Sequence, residues 1–496
     1  MNTVGFHPIP STMRFILCAD GGGSKVNVVI KSVDGLEVRG SAGPSNVQSV
    51  GYTLAVQSLL LATYRALAQL PPTMLPSDLV IPPLEPVLGS HLPFTQLAQN
   101  QLPTPPSSVG SASFAQQYLP PVMNPIAHGH QQSLASLPLS LHPANLSPNS
   151  SRPTTPATVE PRLQPRGHTR TKLPPINTPI FRSAWLGLAG ISCRADEEAF
   201  ARVIAAPLGL DESRVKVTND VNLLAAPALS LHMDHVLALV AGTGTVGRTI
   251  KVREGRRRGL PLEDVAVVRG WGYLLCDEGS AFWIGRLAIR ALLFLSDRHA
   301  SSGIYSSLPP QLLPFHRDLL TYFRTNDPLD LISIASLTSS GMVEEDEGEA
   351  TSRRNALIAG AARIVFKWAF PEDEMLRGGS SGMPTPPGSE GGDSDRESMV
   401  GQEEEMETAS HLAALHLAKQ AIKPLVELVL SLLGDQTVVK PHRSVLALGG
   451  GLMMSEGYRR LLLDGLAKQG ILFGRTVVVR DAAGEGARGL GRVEWG

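Results

Sequence analysis

The sequence predicts an α/β fold that is duplicated, with two lobes that face each other across a cleft. Two observations lead to this prediction. Segments typical of strands and helices alternate along most of the 496 residues, and one strand–glycine turn–strand unit occurs twice. The length supports two folded units, because a single hydrophobic core stops growing near roughly 250–300 residues.

The repeated unit is visible when FILCADGGGSKVNVV (15–29) is aligned without a gap on VLALVAGTGTVGRTI (236–250). Strand falls on strand, and Gly21, Gly23 and Ser24 fall on glycine or threonine. Glycine lets a backbone approach an anion closely, and turn N–H groups point at phosphate oxygens. Two such turns could hold the phosphates of a nucleotide, although either one alone could be an ordinary hairpin turn.

Apolar periodicity and turn signals predict the individual elements. The predicted strands are FILCA, VNVVIKS, LEVRGSA, SAWLGLAG, VKVTND, a pair within HVLALVAGTGTVGRTIKV, SVLALGGG and RTVVVRD. The predicted helices are 52–70, DEEAFARVIAAPLGL, VNLLAAPALSL, 281–295, 314–324, 355–369, 410–434, about 455–468 and a short one at the end.

Two segments interrupt this alternation. Residues 86–151 contain no Asp, Glu, Lys or Arg and are rich in Pro, Ser, Gln and Leu, so we predict a disordered insertion over 71–180. A Gly/Ser-rich and then acidic stretch predicts a second disordered insertion over 376–409. The remaining segments are assigned to the N-terminal lobe (13–70 and 181–232) and to the C-terminal lobe (233–375 and 410–496).

Composition excludes several classes of function. A net charge of -1 provides no field for nucleic acid or anionic membrane, and no apolar run reaches the roughly 18–20 residues of a membrane span. The start, MNTVGFHPIPSTM, lacks the pattern of a signal peptide. Cys18, Cys193 and Cys276 are too far apart for a disulfide framework or a CxxC metal pair, so we expect a cytoplasmic protein.

The strongest catalytic candidate is Asp220, which ends the strand VKVTND. An acid at the carboxyl end of a strand, beside a helix start, projects into the cleft of an α/β fold. There it could accept the proton of an alcohol that attacks phosphorus, or orient that alcohol. The alternative is that Asp220 or Asn219 only caps the following helix.

Three further stretches are candidates for binding. In RGWGYLLCDEGS (269–280), Trp271 could form an apolar wall and Asp277 could bind sugar hydroxyls, or they could be a core residue and a helix cap. Asn46, which ends AGPSN, offers a donor and an acceptor to a polyol or an amide, or belongs to a bare turn. ALGGGLMMS (447–455) could carry a base and ribose, or be a plain strand–helix turn.

These stretches together resemble the N-acetylglucosamine kinases of the BadF-type ATPase family, in the sugar kinase/Hsp70/actin superfamily. The matching motifs are ADGGGSK, AGPSN, LGLAGI, TND, AGTGT, GWGYLLCDEGSAFWIG and ALGGGL. They occur in the family's order, and the two insertions lie outside them. The resemblance implies a two-lobed, actin-like ATPase fold of the ribonuclease H type.

The resemblance also implies transfer of the ATP γ-phosphate to the 6-hydroxyl of N-acetylglucosamine, with Mg²⁺. The implied partners are the sugar and ATP, and a homodimer is compatible with the sequence. The implied roles are as follows: Asp220 as catalytic base; Asn46, Asp220, Thr245, Gly270, Trp271, Gly272 and Asp277 for the sugar; Gly22, Gly23, Ser24, Lys25, Thr243 and Gly244 for phosphates; Gly449, Gly450 and Ser455 for adenosine; and Asp20 for Mg²⁺ through water.

The sequence departs from the family pattern at Val246, where animal relatives carry Asn, and this leaves fine sugar specificity open. One alternative is a kinase for glucosamine or another hexose. A second is a catalytically inactive sensor of sugar or ATP. An ATPase that activates a radical dehydratase is disfavoured. Such a protein needs cysteines that hold an iron–sulfur cluster between subunits, and the three cysteines of this chain lie in predicted strands or beside the sugar motif.

Overall fold

The computed structural model describes residues 14–84, 172–231, 233–253, 260–301, 312–336, 347–373 and 394–495. Within these ranges ten strands form two five-stranded sheets. The strands are β1 (Phe15–Gly21), β2 (Val26–Ser32), β3 (Glu37–Ala42), β4 (Phe181–Leu188), β5 (Val215–Thr218), β6 (His235–Ala241), β7 (Thr245–Val252), β8 (Leu262–Arg269), β9 (Ser444–Gly449) and β10 (Arg475–Val478).

Both sheets have the same topology. The first has the order β3-β2-β1-β4-β5, and the second has the order β8-β7-β6-β9-β10. In each, the first three strands along the chain are antiparallel neighbours, and two parallel strands follow on the other side of the first strand. This confirms the predicted duplication and the ribonuclease H-like fold class.

The helices surround these sheets. They are α1 (Val47–Leu67), α2 (Arg194–Ile204), α3 (Ala281–Ser301), α4 (Pro314–Phe323), α5 (Asp330–Ala335), α6 (Glu347–Gly360), α7 (Ala362–Ala369), α8 (Ser394–Leu433), α9 (Glu456–Lys468) and α10 (Ala482–Trp495). A long 3₁₀ helix, Asp220–Ser230, connects β5 to β6. None of the described helices is long and apolar enough to cross a lipid bilayer.

Several elements differ from their predictions. The helix predicted over 52–70 begins at Val47 and is interrupted at Gly51, which has φ 75°. The helix predicted over 355–369 is divided into α6 and α7. The helix predicted after Asp220 is 3₁₀ rather than α, and Pro227 lies inside it, where its missing N–H cannot donate to an α-helical ladder. Strand β8 was not predicted, because it pairs only with β7 and has no clear burial alternation.

The predicted insertions border on packed structure. Residues 71–84 and 172–180 are described, and Ile176 and Ile180 are buried in the core of the first sheet. Helix α8 begins at Ser394, inside the second predicted insertion. The rest of both segments, 85–171 and 374–393, lies outside the described residues, so their disorder stays a prediction.

The 3₁₀ helix packs against both sheets. Its Leu223 and Ala226 belong to a buried cluster with Ile16, Cys18 and Trp185 of the first sheet. Its Val221, Leu224 and Ala225 belong to another cluster, with residues of β6, β7 and β9. The first residues of this helix are therefore held between the two lobes.

The end of the chain returns to the N-terminal lobe. Helix α10 packs against β1 and against the 3₁₀ helix. Two ion pairs accompany this packing: Arg182 with Glu494 at 2.8 Å, and Arg39 with Asp481 at 2.6 Å. As a result, an acid at residue 481 lies at the sheet that carries the first glycine hairpin.

Close packing of α1 on β3 makes a stability prediction. A Cβ on Gly40 would overlap the carbonyl oxygen of Ala62 and lie 2.7 Å from the backbone nitrogen of Ala66. We therefore expect Gly40→Ala to lower the free energy of unfolding by about 1–3 kcal/mol, measured by urea denaturation. Gly43→Ala is the control, because its Cβ would meet only the Ser58 hydroxyl, at 3.9 Å. Equal midpoints for the two variants would contradict the prediction.

Candidate active site

The first glycine hairpin joins β1 to β2 and is fastened to the loop before α1. The Gly22 N–H donates to the Lys25 carbonyl at 2.9 Å and closes the turn. The Gly22 carbonyl accepts the N–H groups of Ser45 and Asn46, both at 3.1 Å. The side chains of Ser24 and Lys25 are exposed. Two motifs that are separate in the sequence, ADGGGSK and AGPSN, are therefore one structure.

Asn46 has a structural role in this loop. It is 3% exposed, and its side chain caps α1 by accepting the Gln48 N–H at 3.0 Å. A Cβ on Gly190, two residues after β4, would overlap its Oδ1 atom. The interpretation as a bare turn is thus wrong, and the cap leaves the Nδ2 atom and one lone pair of Oδ1 for a ligand.

Asn219, and not Asp220, is the N-cap of the 3₁₀ helix. The Asn219 Oδ1 accepts the Val221 N–H at 3.2 Å, and its Nδ2 donates to the Ile191 carbonyl at 2.9 Å. Asp220 is the first residue of the helix, and its Oδ1 shares the Val221 N–H at 3.1 Å. Burial raises the pKa of Asp220, whereas the Val221 N–H and the charge of Arg248 oppose that rise.

Asp20, on β1, is close enough to two other acids to interact electrostatically with them. Burial, then the charges of Asp220 and Asp481, raise the pKa of Asp20 to about 7, and Lys25 opposes this. Burial would also raise the pKa of Asp481, but hydrogen bonds from Arg39 and from the Gly484 N–H keep it below 3.8. Asp481 was missed as a site residue by the sequence analysis, in which it was only the last residue of the predicted strand RTVVVRD.

The carboxylates fit Mg²⁺ only as part of a site that water and substrate phosphates complete. Among the described residues no group of three or more His, Cys, Asp or Glu side chains is placed to hold a metal ion by itself. Mg²⁺, however, is usually bound by one or two carboxylates together with water and substrate phosphates. Asp20 fits that kind of site. Burial and the two neighbouring acids disfavour its ionised form, and a nearby dication would favour that form.

The second glycine hairpin and the GWG stretch form a single structure. The Gly242 N–H donates to the Gly244 carbonyl at 2.9 Å, and the Gly270 N–H donates to the Thr245 carbonyl at 2.9 Å. The Thr245 N–H donates to Asp277 Oδ1 at 3.3 Å. The side chain of Thr243 is exposed at the tip of this hairpin. The residues predicted for the sugar and for the second phosphate loop are thus adjacent.

Two buried polar groups in this region lack full compensation. The Thr245 hydroxyl is buried and has no hydrogen-bond partner. Asp277 is 9% exposed, and burial raises its pKa to about 6 against the N–H groups of Thr245 and Gly272. Buried polar groups without partners cost free energy. The places where a native structure keeps such groups are therefore often ligand sites.

Backbone strain is concentrated in the same stretch. Trp271, Cys276 and Asp277 have φ of 64°, 81° and 45°, values that side chains other than glycine rarely adopt. Trp271 is 72% exposed, so the interpretation as a core residue is wrong. Strained residues persist where the surrounding structure enforces them, and they cluster at functional sites.

The predicted adenosine residues are in two places. Gly449 ends β9, and Gly450 follows with φ 87°; a Cβ there would overlap the carbonyl oxygen of Ala241, directly before the second hairpin. Ser455 caps α9 by accepting the Tyr458 N–H at 3.1 Å, and its hydroxyl donates to Asp373. The glycines therefore adjoin the second hairpin, whereas the Ser455 hydroxyl already has two partners within the protein.

A polar network that the sequence analysis missed joins the 3₁₀ helix to the second sheet. Asp264, on β8, accepts hydrogen bonds from Arg248 Nη1 at 2.5 Å and from Asn222 Nδ2 at 2.7 Å. Arg248 is nearly buried, and its charge acts on Asp220. The only signal in the sequence was an arginine, Arg248, within the otherwise apolar strand–turn–strand unit VLALVAGTGTVGRTI.

Comparison with known proteins gives one sequence match. No family model matches the chain. Over 188 residues it is 28% identical to the N-acetylmuramic acid/N-acetylglucosamine kinase of Clostridium acetobutylicum, which covers 36% of this chain and 55% of that protein. The chain therefore spans about half the length of this curated relative. The match confirms the predicted resemblance to N-acetylglucosamine kinases.

Two solved structures align over nearly all of the chain. Both are provisionally named N-acetylglucosamine kinase. That from Chromobacterium violaceum is 15% identical, with a TM-score of 0.42, and the alignment covers 97% of this chain and 99% of the other. That from Porphyromonas gingivalis is 14% identical, with a TM-score of 0.45, and the alignment covers 96% and 99%.

Proposed function

We propose that the protein transfers the γ-phosphate of ATP to the 6-hydroxyl of N-acetylglucosamine, giving N-acetylglucosamine 6-phosphate and ADP. The observation that carries this proposal is the position of Asp220, on a helix that packs against both sheets and close to Asp20 of the first glycine hairpin. The sequence match to an amino-sugar kinase supports it.

The sugar would bind along the second hairpin and the GWG stretch. Asp277 accepts hydroxyl groups, and the unpaired Thr245 hydroxyl gains a partner on binding. The backbones of Gly270 and Gly272 permit close approach, and the exposed ring of Trp271 covers the apolar face of the sugar. The Asn46 Nδ2 would donate to the sugar from the other lobe, while its Oδ1 caps α1.

Asp220 would act as the catalytic base. Its carboxylate takes the proton of the 6-hydroxyl as that oxygen attacks the γ-phosphorus, and the β–γ bridging oxygen leaves with ADP. Burial makes the Asp220 carboxylate a stronger base than one in water, whereas Arg248 keeps a share of it ionised. Asn219 holds the backbone that carries this side chain.

The phosphates would lie against the two glycine turns. Backbone N–H groups of Gly23 and Gly244, with the hydroxyls of Ser24 and Thr243, would be the donors, and Lys25 would contribute a positive charge. Gly22 would shape the first turn, because its own N–H donates to the Lys25 carbonyl. The adenosine would lie along Gly449 and Gly450, with Ser455 shaping the adjoining helix start. Asp20 would hold Mg²⁺ through water, and the ion would neutralise charge on the transferred phosphate.

A reducing location agrees with this proposal. Cys18, Cys193 and Cys276 are all free thiols in the structure. Disulfides are rare where glutathione and thioredoxin keep thiols reduced. We therefore propose that the reaction takes place in the cytoplasm.

Measurement of ADP release with Mg-ATP tests the proposed function. The acceptors are N-acetylglucosamine, glucosamine, N-acetylmannosamine and glucose, with N-acetylmuramic acid added because the curated relative is named for it. We expect the highest kcat/KM on N-acetylglucosamine. A higher kcat/KM on glucosamine or glucose would show that the substrate is another hexose. If the protein binds a sugar but turns over none of the five, it is not a kinase for these sugars, and the interpretation as a sensor is supported.

A further inference from the structure

Arg269 is a charged residue that has no part in the proposed reaction and, among the described residues, no side-chain partner that stabilises the fold. It is the last residue of β8 and directly precedes Gly270, Trp271 and Gly272. Within the described parts of the chain its side chain has no hydrogen bond or ion pair. An arginine without a carboxylate at the edge of a candidate site is a candidate anion-binding group.

The strand register places the Arg269 side chain on the face of the sheet that is turned toward the 3₁₀ helix. Val246 of β7 is opposite Arg269, and Arg248 is opposite Val267. Residues that are opposite one another, or two apart along a strand, share a face, so Arg269, Val246 and Arg248 lie on the same side. Val246 packs against the cluster that contains Val221 of that helix. Arg269 therefore lies on the face of the sheet against which the start of the 3₁₀ helix packs.

The charges on this face are unbalanced. Arg248 has a partner in Asp264, at 2.5 Å, and that carboxylate also accepts Asn222. Arg269 has no such partner, and Val246 across from it is apolar. Arg269 is exposed to solvent, so a ligand can reach its guanidinium group. Partial burial and the charge of Arg248 lower the pKa of Arg269, and an oxyanion beside it would oppose this shift.

We propose that Arg269 binds an oxyanion of a substrate held in the candidate active site. The proposal deepens the proposed function and rests on it. Two groups share this chemistry: the carboxylate of an acidic amino sugar, which would lie beside the adjoining Gly270 and Trp271, and a phosphate of the nucleotide, which would lie beside the second glycine hairpin. In either case the guanidinium donates two N–H groups to two oxygens, as planar arginine does with carboxylate and phosphate.

Binding constants of Arg269 variants test this proposal without requiring turnover. Arg269→Gln and Arg269→Lys are compared with the unaltered protein by calorimetry, with N-acetylglucosamine, N-acetylmuramic acid and ATP as ligands. The matched control is Arg253→Gln, which removes the same charge at the far end of the β7–β8 hairpin, where Arg253 pairs with Glu263. The unpaired position of Arg269 predicts that both of its variants fold.

We expect Arg269→Gln to weaken binding of one anionic ligand by roughly 10- to 100-fold, with Arg269→Lys intermediate and N-acetylglucosamine changed less than about twofold. A loss confined to N-acetylmuramic acid assigns the sugar carboxylate, and a loss confined to ATP assigns the phosphate. Unchanged constants for all ligands would overturn the proposal while leaving the kinase in place. If the unaltered protein binds none of the three ligands, both proposals fail.

Discussion

Replacing Asp220 with Asn is expected to lower kcat on N-acetylglucosamine by about 10²–10⁴-fold while the protein stays folded. Asn keeps an Oδ1 atom that can accept the Val221 N–H, as Asp220 does at 3.1 Å, but it cannot take a proton from the sugar hydroxyl. Because burial raises the pKa of Asp220, removal of its charge is not expected to lower the thermal midpoint at pH 7.

The measurement is ADP release at saturating sugar and ATP, with thermal unfolding of the same preparations. Asp34→Asn is the control, since Asp34 is exposed in the turn between β2 and β3 and undergoes the same chemical change. If Asp220→Asn keeps more than about a tenth of the kcat of the unaltered protein, Asp220 is not the catalytic base. A kinase that depends on positioning alone would then be the better description.

Replacing Asp277 with Asn is expected to stabilise the protein at neutral pH and to weaken sugar binding. In the native protein burial raises the pKa of Asp277 to about 6, against an ordinary value of 3.8. The native state therefore binds a proton more tightly than the unfolded chain does. The stability that comes from this proton is fully present below about pH 4, and it is lost as the pH rises through about 6.

The gap between 3.8 and about 6 corresponds to roughly 3 kcal/mol at pH 7. Asn carries no charge, keeps an oxygen for the Thr245 N–H, and tolerates the φ of 45° at this position. We therefore expect Asp277→Asn to unfold at a higher urea concentration than the unaltered protein at pH 7.5, and at nearly the same concentration at pH 4. Its KM for N-acetylglucosamine should rise by roughly 10- to 100-fold.

Urea denaturation at several pH values is the measurement, with Asp211→Asn as the control. Asp211 is exposed, and hydrogen bonds from Ser213 lower its pKa, so its carboxylate contributes stability above pH 4 that is lost as the pH falls. The two variants should therefore change the stability profile in opposite directions. A destabilised Asp277→Asn at pH 7.5 would show that this carboxylate is held for the fold and not for a ligand.

Local features of the candidate site could be predicted from the sequence. Apolar runs that lead into the glycine turns at Gly21 and Gly242 indicated two hairpins, and their ungapped alignment indicated the duplication that the two sheet orders confirm. Asp220 at the end of VKVTND could be predicted to follow a strand, because strand and turn signals are short-range. The network of Arg248 and Asp264 could not, because β8 has no clear alternation and its register with β7 depends on tertiary pairing.

Nine of the ten described strands, the two glycine turns and the type of chemistry that their acids can perform could be predicted from the sequence, because these depend on residues that are neighbours in the chain. The tertiary structure alone decided which acids meet. Asp481 lies near Asp20 because α10 folds back onto β1, and Asp220 interacts with Arg248 because the 3₁₀ helix packs on both sheets. Electrostatic interaction depends on distance and burial in space, and neither is encoded in the spacing of residues along the chain.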